Sequence, residues 1–171
     1  YYTLQILAGY DDHLEWAVHQ LHALSVSDDA DADVARHVCA KQGGFRVIAH
    51  ACRSMAIRTD LCILAAEALS NFSAWPSLHP GFMQDATVVT IATFAVSESE
   101  EMRKCACTAM QNISKGPKEI RVGLEEHISL TDLQGLLDSS DEHVVASVMQ
   151  TLANITIVTA LQRKAVTGVR M

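Results

Sequence analysis

The stretch Ala68-Leu69-Ser70-Asn71-Phe72-Ser73 returns twice further along this chain. The two copies read Ala109-Met110-Gln111-Asn112-Ile113-Ser114 and Thr151-Leu152-Ala153-Asn154-Ile155-Thr156. Their asparagines follow one another at intervals of 41 and 42 residues. A constant period of about 40 residues is typical of stacked helical repeats, in which each unit buries its apolar face against the next. The sequence therefore predicts an all-α solenoid that acts through an extended surface.

The apolar residues around each asparagine keep one helical register. They recur at i, i+4, i+7, i+8 and i+11, which is one face of an α-helix. The fifteen positions are Leu61, Ala65, Ala68, Leu69, Phe72, Met102, Ala106, Ala109, Met110, Ile113, Val144, Val148, Thr151, Leu152 and Ile155. Fourteen of them are apolar, and Thr151 still offers a methyl group. This register predicts one long core helix in each repeat.

Two shorter helices are predicted before each long one. The second helices are expected at Phe45–Ser54, Ala86–Val96 and Leu130–Leu137, and the first helices at Val34–Lys41, Pro80–Gln84 and Glu119–His127. Gly43-Gly44 predicts a helix stop between the first and second helix of its repeat. The resulting division is one solenoid over 1–171, with repeats at 31–75, 76–116 and 117–157 and partial repeats at 1–30 and 158–171.

The two ends are predicted as incomplete repeats. Asp11–Ser27 is expected to form a long helix with Trp16, Leu21 and Leu24 on its core register, preceded by a short helix at Thr3–Ala8. Leu161–Val169 is expected to be the first helix of a further repeat. Neither end has the polar outer face that normally closes a solenoid, so we expect a segment of a longer array.

Composition limits the classes of partner. The 171 residues are 49% hydrophobic but only 5% aromatic, and the net charge is −7. An acidic chain lacks the basic stripe that a nucleic-acid backbone requires. The five cysteines have no CxxC spacing, which favours buried thiols in a reducing compartment. No apolar stretch approaches membrane-spanning length, and no signal peptide is visible. We expect a cytoplasmic or nuclear protein without membrane insertion.

Several short motifs have a simpler explanation than the function they suggest. The three asparagines form N-x-[ST] patterns, but these recur because the repeat recurs, so we expect no glycosylation. The acids at Asp29, Asp31 and Asp33 lack the glycine and glutamate of a calcium loop. The histidines His13, His19 and His22 lack further ligands at zinc-binding spacing. No nucleophile-elbow, zinc-protease or phosphate-loop pattern occurs, so neither enzymatic activity, metal nor cofactor is expected.

Three helices per repeat, a period near 42 and a third helix ending in Ala-Leu-x-Asn-hydrophobic-Ser resemble the armadillo repeat. The run Gln42-Gly43-Gly44-Phe45 also resembles the glycine turn of that family. The later repeats have Asp85-Ala86 and Glu126-His127 at that place, so their turns are expected to differ. The resemblance covers residues 31–157 best, and it implies a right-handed superhelical α-solenoid whose third helices line a concave groove.

The resemblance also implies which residues face a ligand. In armadillo proteins the repeated asparagine binds the backbone of an extended peptide, because a side-chain amide offers both a donor and an acceptor. Here the groove residues would be Asn71, Asn112, Asn154, Glu67, Thr108, Gln150, His22 and Ser147. Val26 would take the asparagine position in the first partial repeat, where the ladder would stop. The alternative is that the amides bond the neighbouring repeat and stabilise the stack.

A scaffold or adaptor for a protein or peptide partner is the leading functional hypothesis. Acidic groove positions such as Glu67 and Glu101 favour a partner with some basic character. A second hypothesis is a regulatory armadillo module of a larger enzyme, such as a ubiquitin ligase or kinase. A third is a nuclear-import cargo adaptor. It is weakened because Glu67, Thr108 and Gln150 stand where those adaptors place tryptophans.

Overall fold

The computed structural model describes the backbone of residues 11–29, 31–54, 58–83 and 86–168 and, within these ranges, the side chains of residues 13–155. These ranges contain ten α-helices and a 3-10 turn at Pro76–Leu78, and no strand. The helices are α1 (Asp11–Val26), α2 (Ala32–Lys41), α3 (Gly44–Ser54), α4 (Thr59–Ser73), α5 (His79–Phe82), α6 (Thr87–Ala95), α7 (Glu100–Ile113), α8 (Lys118–His127), α9 (Leu130–Leu136) and α10 (Glu142–Gly168).

The helices group in threes, as the sequence predicts. The long helices α4, α7 and α10 each follow two shorter ones, and together with α1 they pack consecutively on one another. We call these four helices the third helices, and we call the layer in which they pack side by side the third-helix layer. The repeat boundaries themselves remain a prediction.

The predicted core register is confirmed. Fourteen of the fifteen register positions are buried, and Leu152 is half-buried against the same core. Many of these residues are small: Ala65, Ala68, Ala106 and Ala109 are at most 2% exposed. Small side chains let neighbouring helices approach closely, and close packing supplies most of the stability of such a stack.

The two glycines make the predicted turn between α2 and α3. Gly43 has a φ of +81°, which side chains other than glycine rarely adopt. A Cβ on Gly44 would lie 2.2 Å from the Sγ of Cys39. In the last repeat, α8 and α9 are instead joined through Ile128 in extended conformation, with φ −114° and ψ 120°. The Ile128 side chain is buried, so apolar packing holds this connection where the first repeat has a glycine turn.

Arg36 ties the first partial repeat to the first full one. Its guanidinium donates to the carbonyl oxygens of Leu24 and Ser27 and pairs with Asp33 at 2.6 Å. It also lies 4.6 Å from the ring centroid of Trp75. The side chain is 4% exposed, so its charge is compensated by these contacts. Trp75 therefore closes a repeat junction, where the sequence places it.

Two predictions about the ends are wrong. Trp16 is 50% exposed, whereas Leu21 and Leu24 pack against the core as predicted, and Leu14, Ala17 and Val18 are the buried apolar residues of α1. The predicted separate helix at Leu161–Val169 does not form, because α10 continues unbroken to Gly168. The sequence has no glycine or proline between residues 142 and 167 that would end it. The helix expected at Thr3–Ala8 lies outside the described residues.

Candidate functional site: the asparagine ladder

The repeated asparagines all lie on third helices, Asn71 and Asn112 near the carboxyl end and Asn154 in the middle of the longer α10, and they share one environment. Each is half-exposed, and its Nδ2 donates to a serine of the preceding repeat. The distances to Oγ are 3.1 Å for Asn71 with Ser25, 3.1 Å for Asn112 with Ser73 and 2.9 Å for Asn154 with Ser114. We call each of these Asn–Ser contacts a rung.

The serine of each rung is fixed by its own helix. Ser25, Ser73 and Ser114 donate their hydroxyl hydrogen to the backbone carbonyl three residues earlier, at 2.7, 2.6 and 2.8 Å. All three are buried, and their one hydroxyl hydrogen is used in this way, so the oxygen is left to accept. A rung thus satisfies a helix-end carbonyl, a buried hydroxyl and one amide hydrogen together.

This geometry bears on the two alternatives for the asparagines. One N–H of each amide faces the neighbouring repeat, which gives the side chain a structural role. The Oδ1 of Asn112 accepts from Lys115 Nζ at 3.2 Å, and that of Asn154 accepts from Gln150 Nε2 at 3.1 Å. Lys115 and Gln150 are exposed, so a ligand can replace them. The amides are therefore partly committed to the stack and partly open to solvent.

The rungs also explain the N-x-S pattern. Within one repeat the asparagine bonds backward to the preceding repeat, and the serine two residues later receives the next asparagine. Ser73 and Ser114 both serve in this way. A glycan would be attached to Nδ2, the atom that donates in each rung. The geometry favours repetition over glycosylation as the origin of the motif.

The first partial repeat is offset from its predicted alignment. Ser25 occupies the place of Ser73, 48 residues earlier, whereas Ser73 and Ser114 are 41 residues apart. Ala23, not Val26, therefore stands at the asparagine position of α1. The ladder of asparagines still begins at Asn71, but its first rung reaches back to α1. Sequence reasoning missed Ser25 because the interval of 48 residues between Ser25 and Ser73 is longer than the period of 41 to 42 residues on which the alignment rests.

The other predicted groove residues are divided between the surface and the interior. His22 and Glu67 meet across α1 and α4, with 3.0 Å between Nε2 and Oε2. Thr108 bonds His143 on α10 at 2.8 Å. Ser147 is 1% exposed and donates to Gln111 Oε1 at 3.2 Å, so it lies beneath the surface and Gln111 lies above it.

Ion pairs occupy most of the charged groups at the amino-terminal ends of the third helices. Arg58 pairs with Asp60 at 3.0 Å and with Glu15 at 3.3 Å, and its hydrogen bond lowers the pKa of Asp60. Lys104 pairs in the same way with Glu100 and Asp141, at 2.7 and 2.8 Å. This leaves Glu67, beside His22, Glu101 and Glu142 as acids of the layer that have no ion pair with a lysine or arginine in the described structure.

The histidine, cysteine and acidic residues in the described ranges form no group of three that suits a metal ion. Among the described helices, none is long and apolar enough to cross a membrane.

Solved structures with the same arrangement are designed repeat proteins. A computationally designed armadillo repeat protein for modular peptide recognition matches with a TM-score of 0.73 at 21% identity, over 89% of this chain and 62% of its own. A designed armadillo repeat protein in complex with the peptide (KR)4 gives a TM-score of 0.71 at 21% identity, with the same coverage. The chain has the armadillo-repeat fold. It is a right-handed superhelical α-solenoid of three-helix repeats.

An engineered protein also matches this armadillo solenoid, with a TM-score of 0.69 at 23% identity over 86% of this chain and 58% of its own. The armadillo solenoid spans about three fifths of the length of the solved proteins it matches. At sequence level, no family model and no curated protein matches the chain.

Proposed function

We propose that this armadillo solenoid is a protein-interaction scaffold that binds an extended peptide segment along its third-helix layer. The observation that carries the proposal is the ladder itself. Asn71, Asn112 and Asn154 present one half-exposed amide per repeat, each held in place by a rung. An amide whose second N–H and carbonyl can reach solvent matches the acceptor and donor of a peptide unit.

The spacing of the amides suits an extended chain. Packed helices lie roughly 8–10 Å apart. A strand rises about 3.4 Å per residue, so neighbouring asparagines are two to three peptide residues apart. Because the rungs hold the amides before a ligand arrives, little side-chain entropy is lost when the peptide binds.

A basic segment is the partner that fits this layer best. Among the residues that the structure describes, Glu67 and Glu101 form no ion pair with a lysine or arginine, while Glu15, Asp60, Glu100 and Asp141 already pair with Arg58 or Lys104. Lysine or arginine side chains of a bound peptide would reach these carboxylates. The expected contribution is to the rate and specificity of association more than to affinity.

The test is a titration of fluorescent (KR)4 octapeptide, followed by anisotropy, with an alternating Glu-Asp octapeptide as the charge control. We expect (KR)4 alone to bind. Replacing Asn71, Asn112 and Asn154 together by alanine should weaken binding roughly ten- to thousand-fold, since each net hydrogen bond contributes about 0.5–1.5 kcal/mol. Failure of (KR)4 to bind, or equal binding of both peptides, contradicts the proposal.

Ser73→Ala separates binding from stability, because it removes the rung acceptor and keeps the amide of Asn112. A binding role predicts near-normal affinity for Ser73→Ala and reduced affinity for Asn112→Ala. Equal losses in both variants would assign the amide to the stack alone.

Glu67→Lys and Glu101→Lys should weaken (KR)4 binding. Glu126→Lys, which makes the same charge change on α8 outside the third-helix layer, should not.

A further inference from the structure

A cavity of about 550 Å³ lies away from the asparagine ladder, between α3, α4, α6 and the start of α7. Cys52 on α3 and Cys62 on α4 both line it, together with Thr90, Phe94 and Met102. The exposed residues Arg53, Thr59, Thr93 and Val96 form its rim. The cavity therefore opens to solvent, and a small molecule that enters it reaches two thiols.

The two thiols face the same cavity from adjacent helices. Cys52 and Cys62 are 8% and 5% exposed, and a side-chain hydrogen bond links them. A disulfide bond requires the two sulfurs to approach each other to the ~2 Å of an S–S bond. The protein holds them as thiols in this structure.

This contact makes the two cysteines chemically unequal. The hydrogen bond with Cys52 is the largest effect on Cys62 and lowers its pKa, against the opposing effect of burial. The same hydrogen bond, followed by burial, raises the pKa of Cys52. An attacking thiolate beside a second, protonated thiol is the arrangement used in thiol–disulfide exchange.

The remaining three cysteines lack this arrangement. Burial is the main effect on Cys39, Cys105 and Cys107, and it raises the pKa of each thiol. They therefore serve as internal controls for any reagent that reacts with thiolates.

We propose that Cys52 and Cys62 form a redox-active dithiol site that reacts with low-molecular-weight disulfides such as oxidised glutathione. The Cys62 thiolate attacks one sulfur of the disulfide, forming a mixed disulfide and releasing one glutathione thiolate. Cys52 then loses its proton, and its sulfur attacks the Sγ of Cys62. The second glutathione thiolate leaves, and a Cys52–Cys62 disulfide joins α3 to α4. Two protein thiols are oxidised, and one glutathione disulfide is reduced to two thiols.

The experiment uses the folded wild-type chain, incubated with oxidised glutathione and quenched with acid. Intact mass and peptide mapping should show the loss of two hydrogens and a single Cys52–Cys62 crosslink, with Cys39, Cys105 and Cys107 still reduced. Reaction spread evenly over the five cysteines, or a crosslink that forms only after urea is added, would overturn the proposal.

Two near-isosteric variants assign the roles. Cys52→Ser should accumulate a glutathionyl group on Cys62, because the resolving thiol is missing. Cys62→Ser should leave Cys52 unmodified over the same time. Cys39→Ser is the matched control and should form the crosslink at the wild-type rate. If Cys62→Ser takes up glutathione as fast as Cys52→Ser does, the assignment of Cys62 as nucleophile fails.

A second reagent makes the result independent of the variants. Phenylarsine oxide bridges two thiols only when they are adjacent, so the folded wild-type chain should take up one equivalent and protect Cys52 and Cys62 from alkylation. Protection of any other pair, or none, would count against the site. Because the cavity is separate from the ladder, this outcome does not depend on peptide binding.

Discussion

The contact of α4 with α7 and the contact of α7 with α10 are built differently. Among the residues that the structure describes, the first contact carries the rung of Asn112 and Ser73, and the rest of it is apolar packing. The second has its own rung, of Asn154 and Ser114, and adds three polar pairs. These pairs are Ser147 with Gln111, Thr108 with His143 and Lys104 with Asp141. Apolar packing and a rung are common to both, so we infer that these two features hold the stack.

The largest effect on stability is expected from the apolar residues that are buried between neighbouring third helices. Ile113 is fully buried, and Ile113→Ala should lower the free energy of unfolding by about 2–5 kcal/mol through lost burial and a cavity. Urea denaturation followed by circular dichroism measures this loss. Val96→Ala, at a 53% exposed site, is the control and should change little. If Ile113→Ala lowers the free energy of unfolding no more than the control does, apolar packing does not hold the stack.

A smaller effect is expected from the rungs. Asn112→Ala and Ser73→Ala should each cost about 1 kcal/mol of unfolding free energy, and the double variant should cost less than their sum. Asn154→Ala and Ser114→Ala form the same cycle at the other contact. Similar coupling energies are expected at both contacts. A coupling energy near zero at either contact would show that the rung does not stabilise both contacts.

The smallest effect is expected from Lys104 and Asp141. The hydrogen bond from Lys104 lowers the pKa of Asp141 below the ordinary value of 3.8. The folded state therefore gains stability from the charged carboxylate at neutral pH and loses it as the pH falls through the lowered pKa. Asp141 Oδ1 also accepts from the backbone N–H of His143 and Val144, which an asparagine retains.

Asp141→Asn thus isolates the charge. The wild type should have a slightly higher Tm than this variant at pH 7, and the difference should shrink toward pH 3. Asp132→Asn, an exposed change on α9, should show no such trend. A difference that persists or grows in acid would contradict the assigned sign.

The sequence predicts the repeating part of the fold well, because a register held over two periods reports burial directly. Thr151 shows how far this extends, since the one polar residue in the register is fully buried and bonds the carbonyl of Ser147. The helix starts and stops are predicted to within a few residues wherever glycine, proline or polar joints mark them.

The register fails where the period changes. The interval from Ser25 to Ser73 is 48 residues and not about 41, so a register carried back from the full repeats places Trp16 in the core, whereas its side chain is half-exposed. The partner of each asparagine could not be predicted either, because hydrogen bonds between repeats depend on how helices stack in three dimensions. The N-x-S pattern contains the signal, since its two polar residues serve two different neighbours. Peptide binding and its residues remain a prediction.

The rungs have a direction, because each asparagine donates to the repeat before it, and Ser73 and Ser114 accept from the repeat after them. The middle repeat can therefore be removed without leaving either group unmatched. Deleting residues 74–114, one full period, would put Ser73 where Ser114 stands and present it to Asn154. The length of such a protein can change by whole repeats, because each repeat carries its own rung residues.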